Sequence, residues 1–534
     1  MDSEAKQRSL TIYLLKDGLR PAEVIAKPAK EYYLAGDTRI GVLYVETRET
    51  KPPHWADFFS GYVSAKDLGL VASSSAALLV QSASRLFAIT FGQGRYLLDA
   101  DCIEERFGFK VVLNSIPPER LKSIDKKSFD AIDSNSRVQA SREAEAQDFG
   151  IDAEQDLLRA VTGIPNDPIL GTRLSGRDAL NAVARCDLSE LCDLLPLYLS
   201  KYHEETYKTH FPWVDNIREV TSTEHLDLTL IDILNDIRTS SNTAKCWIAV
   251  PEIVDWERVD GFRYSTRTDA SIHHDLHLPG FFSSLRNSDL LTVTELKRRH
   301  AYAVDGDGLT LNRWPVYKCI HCEIEIDGIT YVLSAGKWYA ITRDLSDLVN
   351  AFFERLPRYE KSLPQYEDAR ESEYCARVAK DSDGELLLMD QKFVRVAGRT
   401  NSIEFCDLYG SDYALIHVKR YGTSNVLNHL FAQGLMSGEC LKTLEGFAEE
   451  LNAMLSEPFK VPEGNIPRDV SRFTVVFAII SESDKPLELP FFARVTLRQV
   501  AKRLMSVNYN VRLLQIPVAR SLTRLERVPT KPPR

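Results

Sequence analysis

Apolar and polar positions alternate along several short stretches of the chain, and each such stretch reads as a strand. Leu10-Thr11-Ile12-Tyr13-Leu14-Leu15 is closed by Lys16-Asp17-Gly18, and Ile40 to Val45 runs into a loop through Pro52 and Pro53. Ala76 to Val80 and Leu86 to Phe91 form a pair of apolar runs that ends in the turn Gly92-Gln93-Gly94. Residues 119–150 are polar and predict a surface excursion or internal linker, and helical spacing dominates from Ala153 to about His210. Strand signal returns over 315–341, where Glu323 and Glu325 alternate with isoleucines and predict one solvated face.

Beyond residue 341 the pattern sharpens. Asp344 to Leu356 and Gln365 to Lys380 read as helices, and Asp381-Ser382-Asp383-Gly384 as a tight turn. Strands are predicted over Glu385 to Asp390, Ile403 to Leu408 and Tyr413 to Tyr421. Ser424 starts a helix that runs to about Leu444, with Gly446 just past its end. Phe473 to Ile480 is apolar except for Thr474, which predicts a strand buried on both faces. The order is helix, three strands, helix, strand. The fold class is therefore α/β (α+β), with an N-terminal mixed α/β region over 1–345, serving as sensor or specificity module, and a C-terminal domain over 346–534.

Length and composition change this picture little. A chain of 534 residues exceeds one compact core, so two or three domains are expected. Hydrophobic content of 44% and charge of 27% describe an ordinary globular protein. The sequence shows no apolar run long enough to span a bilayer and no basic head with an apolar middle at its start, so a cytoplasmic protein is expected. Nine scattered cysteines argue against a disulfide framework. Cys319-Ile320-His321-Cys322 lacks the second ligand pair that a metal site would want and reads as thiols on a strand. His273-His274-Asp275-Leu276-His277 likewise has no partner cluster. Motifs of the GxxxxGK[ST], GxSxG and HExxH types do not occur.

Charge changes it more. The net charge is −10, yet from Phe491 to Arg534 ten Lys and Arg face one acid, Glu526, a local balance of +9 that leaves −19 on the rest. Arg494, Arg498, Lys502 and Arg503 alternate with apolar residues, so they predict a phosphate-facing surface on a folded element. Pro529 to Arg534 reads as a solvated basic tail.

Candidate chemistry concentrates in Ile403 to Gly434. Asp407 ends one strand, and His417-Val418-Lys419 ends the next, with residues 417 and 419 on one face. His429 and Gln433, four apart, share a side of the helix that follows. This order, with these residues, resembles the PD-(D/E)xK restriction-endonuclease-like fold. In that fold an acid ends the second strand, a carboxylate and a lysine two residues apart sit on the third, and the preceding helix often adds an acid. The resemblance implies that Asp407 and Glu373, with Glu371 as runner-up, hold Mg²⁺ or Mn²⁺ against a scissile phosphate. It implies that Lys419 orients water or stabilises transition-state charge. His417 departs from the pattern, because an imidazole is a poor Mg²⁺ ligand beside a carboxylate. Either the site is a variant that uses Asp407, Glu373 and Glu404, or the fold is degenerate and only binds. Contacts to nucleic acid are expected from Arg420, His429 and Gln433 as well as from the four basic residues near the C terminus.

The whole chain also resembles a sporadically distributed bacterial family of unknown function and about this length. The matching stretches include Leu10 to Lys16, Phe91-Gly92-Gln93-Gly94-Arg95, Phe107 to Asn114 and the segment Ile403 to Gly434. That resemblance implies a setting among mobile and phage-defence-type genes. The combined expectation is a metal-dependent nuclease acting on DNA, less readily RNA, with a second copy or a defence protein as further partners. The alternatives are an inactive nucleic-acid-binding sensor, and an interaction or toxin-like protein.

Overall fold

The computed structural model describes residues 7–519 apart from short internal stretches, the longest of them 141–148, 252–258 and 396–402. The chain divides into two compact units, residues 1–127 with 135–214, and residues 128–134 with 215–534. The boundary expected near residue 345 thus lies inside the second unit. No helix among the described residues is long and apolar enough to cross a membrane.

The first unit is built on a ten-stranded sheet. Its strands lie in the order Lys30–Tyr33, Val42–Thr47, Ser74–Ser82, Arg85–Phe91, Gln7–Leu14, Leu180–Arg185, Arg173–Gly176, Asp156–Gly163, Leu121–Ser128, Ser134–Gln139. The helix Phe107–Ser115 packs on this sheet and buries Phe107, Phe109, Val111, Val112 and Leu113. It approaches so closely that a Cβ on Gly176 would stand 1.9 Å from the Gly108 carbonyl oxygen, which excludes any side chain there.

Two expectations fail in this unit. The stretch expected as a linker supplies two strands, because Leu121 and Ile124 turn inward and are buried. The stretch expected to be helical from Ala153 supplies three strands before its helix, Leu191–His203, begins. In Leu180–Arg185 the buried residues alternate with exposed ones, and cross-strand packing overrides the helix preference of Leu and Ala.

The second unit opens with a five-stranded antiparallel sheet of Ile217–Glu219, Lys337–Ile341, Ile329–Ser334, Ile320–Ile326 and Cys246–Ile248, in that order. A three-stranded sheet of Gly261–Arg263, His300–Val304 and Thr310–Pro315 follows. The C-terminal part contains α1 (Glu371–Lys380), β1 (Leu386–Leu388), β2 (Leu408–Gly410), β3 (Ala414–Arg420), α2 (Ser424–Thr443), β4 (Thr474–Ser481), α3 (Phe491–Ser506) and β5 (Asn510–Pro517).

These last strands form one mixed sheet in the order β1-β2-β3-β4-β5. The β1–β2 and β2–β3 pairs are antiparallel, and β3–β4 and β4–β5 are parallel. Parallel neighbours need a crossover, which α2 and α3 supply. The apolar run expected as a doubly buried strand is β4. Val475, Phe477 and Ile479 face a core that contains Leu427, Phe431, Leu497 and Leu504 of α2 and α3. Val476, Ala478 and Ile480 face the other core, with Tyr374, Cys375 and Val378 of α1. The strand expected over Ile403 to Leu408 is split. Ile403–Glu404 pairs with Phe393–Val394 in a small ladder, Phe405 and Cys406 turn into the core, and β2 starts only at Leu408.

Candidate active site

Asp407 stands at the break just before β2, and its backbone places its neighbours. Its N–H donates to the Ile416 carbonyl at 3.1 Å, and its own carbonyl accepts from the N–H groups of Met389 and Asp390 at 2.9 and 3.0 Å. The side chain turns to β3, where Oδ2 accepts the Val418 N–H at 2.6 Å. Asp390 and Glu404 come to the same place, and one carboxylate oxygen from each of the three lies within 4.8 Å of the others. Glu404 is steadied by the Gln391 N–H at 2.7 Å. Burial pushes the Asp407 carboxyl well above the usual carboxylate range. The Val418 N–H works against that rise, Glu404 and Asp390 add to it, and Lys419 opposes it.

Lys419, at the end of β3, points Nζ at Oε2 of Glu371, 3.0 Å away, and both side chains are largely buried. Burial favours the neutral amine, but Glu371, with Asp407 and Glu404 behind it, outweighs burial and raises the lysine pKa. The ammonium therefore stays charged. The second Glu371 oxygen accepts the Arg420 N–H at 2.8 Å. Glu371 is the first residue of α1, where the helix dipole also favours a carboxylate.

Glu373 is not the helix acid that arrives here. It is exposed, two residues and about 200° further round α1, and faces away from the strand end that Glu371 reaches. His417 is also absent from the acidic group. It is buried on β3, with Nε2 3.2 Å from the Ser437 hydroxyl of α2, and burial pushes its pKa down to about 3. A neutral ring held in the core offers no ligand. His429 on α2 is half-buried, its Nδ1 makes no hydrogen bond among the described residues, and burial together with the Lys419 charge lowers its pKa. Gln433 is half-buried one turn further along α2.

The basic residues are mostly structural. The buried Arg420 guanidinium bonds to the Tyr366 hydroxyl, to the Ala369 carbonyl at 2.8 Å and to Nε2 of His274 at 2.9 Å. Arg494 is buried, with Nη2 2.6 Å from both Glu323 oxygens. Burial works to raise the Glu323 carboxyl, but Arg494 and His321 hold it down at about 2. The face of Ile320–Ile326 expected to be solvated is therefore covered at Glu323, while Glu325 remains exposed. Arg498 is buried with its guanidinium 5.9 Å from the Phe352 ring. Lys502 and Arg503 are exposed, and Arg503 pairs with Glu439 at 2.5 Å. The expected phosphate-binding strip is thus split, because α3 packs against both α2 and the helix Arg343–Arg355. The basic tail over residues 529–534 lies outside the described residues.

One member of the site escaped the sequence reading. Asp390 follows β1 by two residues and closes the strand expected over Glu385 to Asp390, and that strand-end placement was the available signal. Glu371 was legible only as an alternative, since helix phase at a first turn is ambiguous by a residue or two. The histidine-rich loop has a plain role: His277 Nδ1 accepts the Gly280 N–H at 2.9 Å and caps the helix Leu278–Ser283.

Fold and site together describe a mixed α/β protein whose C-terminal sheet gathers acids and a lysine at one strand end. The chain belongs to the family of unknown function DUF6119, which matches residues 10–517. No curated protein and no solved structure matches it.

Proposed function

We propose that the second unit is a metal-dependent phosphodiester hydrolase acting on DNA, and less readily on RNA, in the bacterial-defence setting that the sequence resemblance implies. One observation carries this reading: Asp390, Glu404 and Asp407 meet beside the charged Lys419, on a helix, three-strand, helix, strand order. Their donors are carboxylate oxygens, which suit hard divalent cations such as Mg²⁺ and Mn²⁺. A cation would also reverse the pressure that burial places on the Asp407 charge. These three residues would hold it, and it would supply positive charge against the phosphate and acidity for a water. Lys419 would donate to a phosphate oxygen as negative charge builds there. Glu371 positions that ammonium and keeps it protonated.

The burial of His417 favours a second reading, a nucleic-acid sensor that binds without cleaving. Incubation with plasmid and single-stranded DNA, with Mg²⁺, Mn²⁺ or chelator, separates the two. Metal-dependent cleavage that Lys419→Ala and Asp407→Ala both abolish supports hydrolysis. Binding without cleavage under every metal supports the sensor.

A further inference from the structure

The turn that leaves Asp390 is held in place by the acidic site and leads to an exposed aromatic ring. Gln391 has a left-handed φ of 59°, which a non-glycine residue keeps where its surroundings fix it. Two bonds fix this turn: the Gln391 N–H donates to Glu404 at 2.7 Å, and the Lys392 N–H donates to the Met389 carbonyl at 3.0 Å. The chain then enters the strand Phe393–Val394, whose register sets Phe393 opposite Glu404 and Val394 opposite Ile403. Directly opposed residues share a face of the ladder, with Cβ atoms about 4.5–5.5 Å apart. Val394 is buried in the core and Ile403 packs against it, so Phe393 and Glu404 take the outer face. Phe393 is 47% exposed. Lys392 and Arg395, just before and just after this strand, are exposed and make no ion pair among the described residues.

We propose that Phe393 is a stacking platform for an unpaired base, so that the acidic site takes single-stranded DNA in preference to duplex. The role of the acids rests on the hydrolase reading, but the stacking itself does not require cleavage. A lone exposed phenylalanine is ordinary on a surface, and its place decides here. The ring shares a face with a carboxylate of the acidic group, on a turn that the same carboxylate holds rigid. The two cations that border it suit the phosphates on either side of a stacked base. Stacking needs a free base face, which a paired base within a duplex does not offer. A phenyl ring has no hydrogen-bonding group, so the contact tolerates any base.

The full chain carrying Asp407→Asn, in which the strand stays uncut, is titrated with a single strand containing 2-aminopurine and with the duplex of the same sequence. Binding of the single strand should quench the 2-aminopurine fluorescence. Adding Phe393→Ala should remove the quench and weaken single-strand binding at least about fivefold, the lower end for base–aromatic stacking. Phe393→Trp should restore both, and Phe393→Leu, apolar but without a ring, should behave as Phe393→Ala. The side chain is exposed, so each variant should keep the parent's circular dichroism spectrum. Lys392→Gln with Arg395→Gln should keep the quench and flatten the log–log salt dependence by roughly 1.4, as for two phosphate contacts on a single strand. An unquenched strand, parental affinity in Phe393→Ala or Phe393→Leu, or tighter binding of the duplex would each overturn the proposal. In the unsubstituted protein, cleavage of duplex that leaves the single strand intact would overturn it and leave the hydrolase reading standing. A quench that depends on Phe393, without cleavage under any metal, would support the platform and end the hydrolase reading.

Discussion

Lys419 Nζ lies 3.0 Å from one oxygen of Glu371, and the other oxygen takes the main-chain N–H of the very next residue, Arg420. One carboxylate at the start of α1 thereby holds both the side chain and the backbone at the end of β3. Removing either charge leaves its partner largely buried and unanswered. Lys419→Met and Glu371→Gln should each destabilise the protein by about 1–3 kcal/mol, a range discounted for the residual exposure of both groups. The double variant should cost less than the sum, with a coupling of roughly 1 kcal/mol. Urea unfolding of the four proteins measures this, and additive costs would show that the pair does not act as a unit.

Asp407 has a folded pKa raised above its unfolded value, so across that window the folded state holds more protons and stability falls as pH rises. Asp407→Asn keeps an acceptor for the Val418 N–H and removes the charge. In metal-free buffer at neutral pH the variant should be more stable than the parent, and the gain should vanish as pH falls below the ordinary aspartate range, about pH 4. Mg²⁺ or Mn²⁺ should raise the melting temperature of the parent and leave the variant unmoved. Equal metal shifts in both proteins would place the cation elsewhere.

His417 has the opposite sign. Its folded pKa is depressed to about 3, so the unfolded chain binds the proton first and stability is lost as pH falls from the ordinary histidine range. His417→Gln removes that proton. Relative to the parent, the variant should gain up to about 4 kcal/mol between neutral pH and pH 3. Stability curves that run parallel across this range would mean that His417 titrates normally.

Glu371 and Glu373 separate the two candidate helix acids. Glu373→Gln should leave cleavage and stability within about 0.5 kcal/mol of the parent, as for an exposed position. Glu371→Gln should lower the cleavage rate at least about tenfold by loosening Lys419. The reverse ranking in a single-turnover assay would return the role to Glu373.

The basic residues of α3 divide in the same way. Arg494→Gln should cost about 3–5 kcal/mol, because it strands a buried Glu323. Lys502→Gln with Arg503→Gln should cost little stability, as both are exposed. If DNA is bound near this helix, only the second change should flatten the salt dependence of binding. Filter-binding titrations at several salt concentrations report the slope.

The C-terminal sheet was legible because its signals are local: a doubly apolar run for β4, a helix-length stretch from Ser424, and short runs closed by Gly turns. Asp407 and Lys419 could be read as strand-end residues for the same reason. What failed depended on distant contacts. Nothing near Glu323 or Arg494 in the sequence reveals a partner 171 residues away, so Glu323 reads as solvated and Arg494 as facing a phosphate. His417 fits the spacing of a ligand, yet Ser437 and the α2 packing that seal it lie twenty residues on. The strands before Leu191 were missed because their leucines and alanines favour helix until the neighbouring strands compete for them.

The Glu323–Arg494 pair sets a condition on the order of events during synthesis. The strand Ile320–Ile326 and its neighbours leave the ribosome long before α3 exists, and until then Glu323 has no cation to receive it. The sheet from Ile217 to Ile341 must wait, its charged seam open to water, for α3, the last helix among the described residues. A nascent chain stopped short of Phe491 is therefore an unfinished intermediate rather than a smaller stable protein, and it is a natural target for chaperones and proteases.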